Sequence, residues 1–290
     1  MYRRALFFSL ILFYQFVAGN AWAEKQHAQD ETKAQSASEP AAGTLWTETS
    51  TGIEFVWVPS GCFKMGGDKY QNEQPAHKVY VKGFWMGRYE ITQAQYQQVM
   101  GNNPSKFQAL NNPIENVTWD DAMDFVEEMG FITGTKVRLP SEAEWEYACR
   151  AGGAHRKYCG PGLNPGKIAW FKGNSKETIH PVGKLAPNDW GLFDMSGNAE
   201  EWTQDCEHGD YKGAPTNGDA WLSKDYDDHK DLPTLNSKPM AGVCDWHMLR
   251  GGAWRDESTN HLRAASRSIG FANNHEISSG GFRIVRTQAE

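Results

Sequence analysis

Charged side chains follow a Gly-Gly pair and a tryptophan near the end of this 290-residue chain. A carboxylate and an imidazole can transfer protons, an arginine can orient a carboxylate or a phenolate, and an indole supplies a stacking face. The predicted catalytic residues are Asp256, His261 and Arg263, and the predicted substrate-binding residues are Trp254, Arg255 and Arg267. The alternative is that these residues form a solvated rim in which Arg263 and Arg267 bridge turns. Exposed ion pairs of this kind contribute little to stability.

Strands and capped helices lie upstream and must position this segment. Apolar, β-branched and aromatic residues predict strands at 54–59 and 77–86, each bounded by turn residues. Three helix starts are predicted from a Thr or Ser followed three residues later by Gln, Asp or Glu, the pattern of a capping box. These starts are Thr92, Thr118 and Ser141. The helix that starts at Thr118 is expected to end at Gly130.

The chain shows no helical periodicity after Cys149. Gly, Pro, Asn and Trp recur every few residues, so turns, side-chain hydrogen bonds, disulfides or ions must satisfy much of this backbone. The 12 tryptophans are expected to supply the core. The most polar stretch is an insertion at about 207–242, which is either a solvated surface loop or a lid or partner-docking loop.

The five cysteines predict two disulfides. Cys149 and Cys159 flank a short glycine-containing loop, and Cys206 and Cys244 flank the polar insertion, so these are the preferred pairs. Cys62 is left over. In its strand-like context it is predicted to be a small buried apolar residue, the alternative being a reactive thiol.

The N-terminal segment predicts export. Two arginines precede an apolar run that is shorter than the roughly 20 residues needed to span a bilayer, and Ala21-Trp22-Ala23 follows as a cleavage signal. We therefore predict a signal peptide at 1–23 and a periplasmic or secreted protein. Residues 24–44 have the polar composition of a disordered linker, and residues 45–288 are predicted to form one domain.

Net charge limits the partners. The chain carries −7 and has no basic cluster in its sequence. This charge argues against nucleic acid and, once the leader is cleaved, against a membrane as a partner.

Motifs spread over nearly the whole predicted domain resemble those of the formylglycine-generating enzyme, or sulfatase-modifying factor, family. They include Lys64-Met65-Gly66, the stretch 138–146, Gly191 to Trp202, Arg250 to Trp254, and Gly281-Phe282-Arg283. The resemblance implies an α+β fold related to the C-type lectins, with a low content of regular secondary structure.

The same resemblance implies a calcium site, but the residues here argue against the family's copper site. A structural calcium ion is expected on the side chains of Asp194 and Glu201 and the carbonyl oxygens of Gly197 and Ala199. The family's oxidase chemistry uses two cysteines after the Gly-Gly pair to hold copper, a metal that soft thiolates select. Asp256 stands at the first position and the second has no counterpart, so copper is not expected.

The expected function is oxidative maturation or modification of a peptide, a protein or a peptide-derived small molecule by a cysteine-independent route. A periplasmic protein needed to oxidise the pyoverdine chromophore precursor is a precedent within the resemblance, since it has the fold without the cysteine pair. The alternative is a non-catalytic lectin-like module that binds a peptide or protein. A true formylglycine-generating oxidase is the third interpretation, and the missing cysteines argue against it. Whether the chain is an enzyme stays open at this point.

Overall fold

The computed structural model describes residues 39–154, 156–222, 244–273 and 279–287. The predicted signal peptide and most of the predicted linker lie outside these ranges. The folded unit begins at Ala41, because the Gly43 N–H donates to the Trp57 carbonyl oxygen at 3.0 Å. Residues 41–44, which the sequence analysis assigns to the linker, thus contact the folded unit. Among the helices of the described ranges, none combines the length and the apolar character that a membrane crossing requires.

The strands form two main sheets and a hairpin. The first sheet contains β1 (Leu45–Thr47), β2 (Glu54–Val58), β5 (Phe84–Gly87), β6 (Val137–Arg138) and β11 (Val285–Thr287), in the order β1-β2-β5-β11-β6. The second contains β7 (Glu200–Cys206), β8 (Trp246–Arg250), β9 (Ser268–Phe271) and β10 (Gly280–Gly281), in the order β10-β7-β8-β9. The hairpin pairs β3 (Gly61–Met65) with β4 (His77–Val81). Short strands, helices and long irregular connections together give a mixed α+β fold.

The predicted strand at 54–59 is confirmed as β2, but the predicted strand at 77–86 is two strands. Lys82 and Gly83 separate β4 from β5, and the two strands belong to different sheets. A continuous apolar and aromatic run cannot reveal this break, because both strands have buried faces.

The three predicted helix starts are confirmed. The helices are α1 (Gln93–Met100), α2 (Trp119–Thr133) and α3 (Glu142–Cys149), and each begins with a complete capping box. The predicted end of α2 at Gly130 is wrong. The helix continues to Gly134, which takes the left-handed conformation at φ 64° that a C-terminal cap needs. An internal glycine costs a helix only about 1 kcal/mol, so Gly130 does not terminate it.

Both predicted disulfides are present, Cys149–Cys159 and Cys206–Cys244. Cys62 is free, as predicted, but it is exposed rather than buried. It lies on β3 opposite the exposed Tyr80 of β4, on the face of the hairpin that points to solvent. A strand's alternation places a residue on a face, but the sequence does not say which face is covered.

Aromatic side chains fill the core, as the composition predicts. Trp57, Trp145 and Trp202 are among the largest fully buried side chains. The described part of the polar insertion, 207–222, also packs on the domain: Tyr211 is buried and its hydroxyl donates to Glu142 at 3.1 Å. This half is therefore a surface loop that Tyr211 anchors to the domain, and residues 223–242 lie outside the described residues.

Candidate functional site

Asp256 and His261 face each other across the turn that follows the glycine pair. The Asp256 Oδ1 lies 3.2 Å from the His261 Nδ1, and its Oδ2 accepts from the Ala253 N–H at 2.7 Å. A carboxylate only accepts, so Nδ1 donates the proton and Nε2 carries the lone pair. The His261 side chain is 62% exposed and that of Asp256 is 16% exposed. The structure thus places these two predicted site residues in contact.

Gly252 makes this arrangement possible. Its φ is 72°, and a Cβ at this position would lie 2.8 Å from the Asp256 Oδ2 and 2.9 Å from the His261 carbonyl oxygen. A side chain here would displace the Asp256 carboxylate from the Ala253 N–H. The lack of a side chain at Gly252 therefore leaves room for the Asp256 carboxylate at the Ala253 N–H.

Trp254 lies beside the Asp256 turn and is partly buried. Its ring meets that of Phe107 edge to face, with centroids 5.3 Å apart. The indole Nε1 is buried and has no hydrogen-bond partner in the described structure. A buried donor without an acceptor is unusual and marks a place where a ligand oxygen would be stabilised. Phe107 was not predicted, and no motif in its segment signals this contact.

A cavity of about 70 Å³ lies between the glycine pair and strands β8 and β9. Glu200, His261, Ser266 and Ser268 are among its lining residues. Burial and the charge of Asp256 raise the pKa of Glu200, and the opposite charge of Arg255 partly offsets this effect. The sequence analysis missed Glu200, although it directly precedes the predicted ligand Glu201. Arg255 is exposed, as a substrate-binding residue must be.

Arg267 reaches the cavity beside His261, whereas Arg263 is not among its lining residues. Arg263 binds both carboxylate oxygens of Glu73, with Nη1 donating to Oε2 at 2.9 Å, and its side chain is 8% exposed. Arg267 donates from Nε to Glu142 at 2.7 Å and is 1% exposed. Both guanidinium groups therefore pair with buried carboxylates, and the catalytic role of Arg263 and the substrate-binding role of Arg267 stay predictions. Both arginines bridge segments, as the alternative interpretation has it, but neither lies on a solvated rim.

The predicted calcium loop lies between β7 and the preceding turn. Asp194 and Glu201 are both buried, and Gly197 takes a φ of 77° in the turn that joins them. Both oxygens of Glu201 are occupied: Arg283 donates to each at 2.6 Å, and the Trp145 indole donates to Oε2 at 2.7 Å. The Glu201 carboxylate thus fits a calcium ion only if it shares its oxygens with a guanidinium.

The same loop contains more buried carboxyl groups than cationic ones. Glu90, which the sequence analysis did not single out, accepts from the Ala199 N–H at 2.8 Å. Burial raises the pKa of Asp194 to about 6, and burial together with the charges of Asp194 and Glu201 raises that of Glu90 well above its usual value. Three buried carboxylates therefore meet the single guanidinium of Arg283. Within the described ranges, no three His, Cys, Asp or Glu side chains converge closely enough to hold a metal, so carbonyl oxygens would have to complete the shell.

Comparisons with known proteins agree with the fold. Chaperone protein LppX of Paenibacillus barcinonensis is 29% identical, over 83% of this chain and 91% of that protein. The formylglycine-generating enzyme of Streptomyces coelicolor is 34% identical over 60% of this chain, and the match covers only 52% of the enzyme's length. The solved structure of PvdO from Pseudomonas aeruginosa has a TM-score of 0.71 and 27% identity, over 86% of this chain and 100% of that one. Residues 41–288 match the family described as sulfatase-modifying factor enzyme 1-like domain, and the chain belongs to that family.

Proposed function

We propose that this chain is an exported protein that modifies a peptide or a peptide-derived molecule at Asp256 and His261, in an oxidative maturation step that uses no cysteine. Family membership supports the class of substrate. The observation that carries the proposal is the Asp256–His261 contact, which lies where the resemblance places the family's reactive cysteine.

In this proposal His261 transfers the proton, and Asp256 positions the His261 imidazole. The exposed Nε2 can take a proton from a substrate, and the Asp256 carboxylate stabilises the imidazolium that forms. Asp256 is itself fixed by the Ala253 N–H. Trp254 supplies a stacking face beside this pair and Arg255 supplies an exposed positive charge. The step proposed for this chain's own residues is therefore proton transfer alone: the substrate loses a proton to the His261 Nε2, and no group of this chain takes up electrons.

Copper has no place in this proposal. Four of the five cysteines form disulfides, and Cys62 lies on β3, remote in sequence from the glycine pair. A carboxylate at position 256 is a hard ligand and does not replace a thiolate for Cu(I). Calcium is proposed as a structural ion in the loop from Asp194 to Glu201, supported by its excess of buried carboxylates.

A deletion strain tests the enzymatic proposal. Peptides and small molecules of the strain are compared with those of the wild type by mass spectrometry, and the unmodified precursor is expected to accumulate. The wild-type gene and a Glu257→Gln control should restore the product, since Glu257 is exposed and pairs only with Lys172 at the surface. His261→Gln should not restore it, although the variant folds. A deletion strain with an unchanged profile would contradict the proposal.

The second candidate is a module that binds a peptide or protein without changing it. The observation in its favour is the small cavity of about 70 Å³, which is below the size of ordinary substrate pockets. Trp254 would then be the main anchor, because aromatic residues dominate binding interfaces. Trp254→Ala should in that case abolish function while His261→Gln leaves it intact, the reverse of the enzymatic expectation for His261.

A further inference from the structure

A second pocket, which we call the basic pocket, lies beside the hairpin β3–β4. Its volume is about 300 Å³. The charged side chains that line it are Lys64, Asp68, Arg150, Arg156, Lys157 and Arg263. Five cations and one carboxylate therefore surround one space, although these residues are scattered along the sequence. Arg263 is the only predicted site residue among them, so the basic pocket differs from the cavity next to His261.

The arginines of this pocket are paired with carboxylates and the lysines are not. Arg150 pairs with Glu146, which Arg250 shares, Arg156 pairs with Asp189, and Arg263 pairs with Glu73. In the part of the chain that the structure describes, Lys64 and Lys157 form no ion pair, and Lys157 lies over the Tyr158 ring at 4.8 Å. These two ammonium groups give the pocket an excess of positive charge, which the single carboxylate of Asp68 reduces but does not remove.

Two guanidinium nitrogens of the pocket residues also lack acceptors. The Nε of Arg263 and the Nη1 of Arg156 are buried, and neither has a hydrogen-bond partner in the described structure. The Arg263 side chain is 92% buried, since only 8% of its surface is exposed. Buried charged donors normally find an acceptor. The missing acceptor is expected to be an oxygen of a bound anion.

The hairpin adds a third observation. Lys64 on β3 lies directly opposite Lys78 on β4 in the strand ladder. Like charges at opposed positions destabilise a pair of strands. An anion next to Lys64 would offset this repulsion.

Burial raises the pKa of the nearby Tyr158, but hydrogen bonds from Lys157 and Thr259 and the charges of Lys157 and Arg263 lower it overall, as expected for a region of positive potential.

We propose that the basic pocket binds a tetrahedral oxyanion of the phosphate class. Lys64 and Lys157 supply positive charge, and Arg156 and Arg263 supply the N–H donors that lack acceptors. These four donor groups outnumber the two oxygens of a carboxylate and equal the four oxygens of a tetrahedral oxyanion. This site is independent of the chemistry at His261, and its test measures binding rather than activity.

Inorganic phosphate is the probe. Isothermal titration of the purified mature protein is expected to show saturable binding, and phosphate should raise the melting temperature more than KCl of equal ionic strength. The double variant Lys64→Gln, Lys157→Gln should bind phosphate at least about tenfold more weakly, as expected when two charged hydrogen-bond donors are lost. Lys212→Gln is the matched control, because Lys212 is 83% exposed and lies outside the pocket.

Three results would overturn the assignment. The first is a melting temperature that responds equally to phosphate and to KCl. The second is unchanged phosphate binding in the double variant. The third is succinate binding as tightly as phosphate, which would assign the pocket to dicarboxylates. If the double variant does not fold, Lys64→Gln alone decides the question, because its side chain is exposed on a strand and its removal relieves the repulsion from Lys78.

Discussion

Arg283 holds both carboxylate oxygens of Glu201 at 2.6 Å, and neither side chain is exposed by more than 1%. The pair joins β7 of the second sheet to the segment that leads into β11 of the first. Arg283 also donates to the carbonyl oxygens of Gly87 and Phe193. One side chain therefore connects the two sheets and the predicted calcium loop.

Loss of this pair should destabilise the fold strongly. Arg283→Met leaves three buried carboxylates without a cation, and removal of one partner of a buried ion pair typically costs about 3–5 kcal/mol. Urea denaturation of the purified variant measures the change in the free energy of unfolding. Glu257→Gln is the control, since its pair with Lys172 is exposed to solvent and should contribute little to stability. Equal effects of the two substitutions would contradict this account.

Calcium removal should lower the melting temperature. A ligand present at a hundredfold excess over its Kd stabilises the folded state by about 2.7 kcal/mol, so EDTA should produce a clear shift. The variant Asp194→Asn distinguishes a loop that binds calcium from a loop that does not. With calcium bound, the variant should lose its response to EDTA. In a loop that binds no calcium, the same substitution removes one crowded carboxylate and should leave the protein equally or more stable, and elemental analysis of the wild type should find no calcium.

His247 should make the fold sensitive to mild acid. It is buried and stacked on Trp119 with ring centroids 3.8 Å apart, and burial lowers its pKa to about 4. Below about pH 6.5 the unfolded chain binds a proton that the folded chain does not. The contribution of His247 is therefore complete above pH 6.5 and is lost as the pH falls to about 4, by up to about 3 kcal/mol.

Comparison with His247→Phe isolates this effect. The phenyl ring keeps the stacking but does not titrate. Asp205, whose pKa burial raises to about 7, changes stability in the opposite direction in both proteins. The difference in unfolding free energy between wild type and variant should therefore shrink or reverse between pH 7.5 and pH 5. A difference that is constant over this range would show that folding does not lower the pKa of His247.

The free thiol should react in the native protein. Cys62 is exposed on β3, so iodoacetamide is expected to label one cysteine per chain without denaturant. Mass spectrometry should also find the two disulfide-linked peptide pairs. Removal of the Cys206–Cys244 bridge, whose cysteines are 38 residues apart, should cost roughly 3–4 kcal/mol on the chain-entropy account. Labelling only after unfolding would mean that the thiol is covered in solution.

The features predicted correctly from the sequence are those that depend on residues close together along the chain. The capping boxes at Thr92, Thr118 and Ser141 start helices because the signal is complete within four residues. The disulfide pairs followed from the loops that they close. The motifs, which occur in the family's order along the chain, indicated both the family and the fold.

The sequence could not show which charges are paired with distant partners. Arg263 and Arg267 look available in the sequence, but their partners Glu73 and Glu142 are 190 and 125 residues away. The basic pocket was missed for the same reason, because Lys64 and Lys157 become neighbours only in the folded chain. Asp256 and His261 were found because they lie within one turn of each other along the chain.

Strand β11 has a consequence for biogenesis. It lies between β5 and β6 and pairs Val285 with Met86 and with Arg138. The middle of the first sheet is therefore empty until the part of the chain beyond residue 280 has been made. A nascent chain that stalls earlier leaves the facing edges of β5 and β6 unpaired, and such edges bind other extended chains.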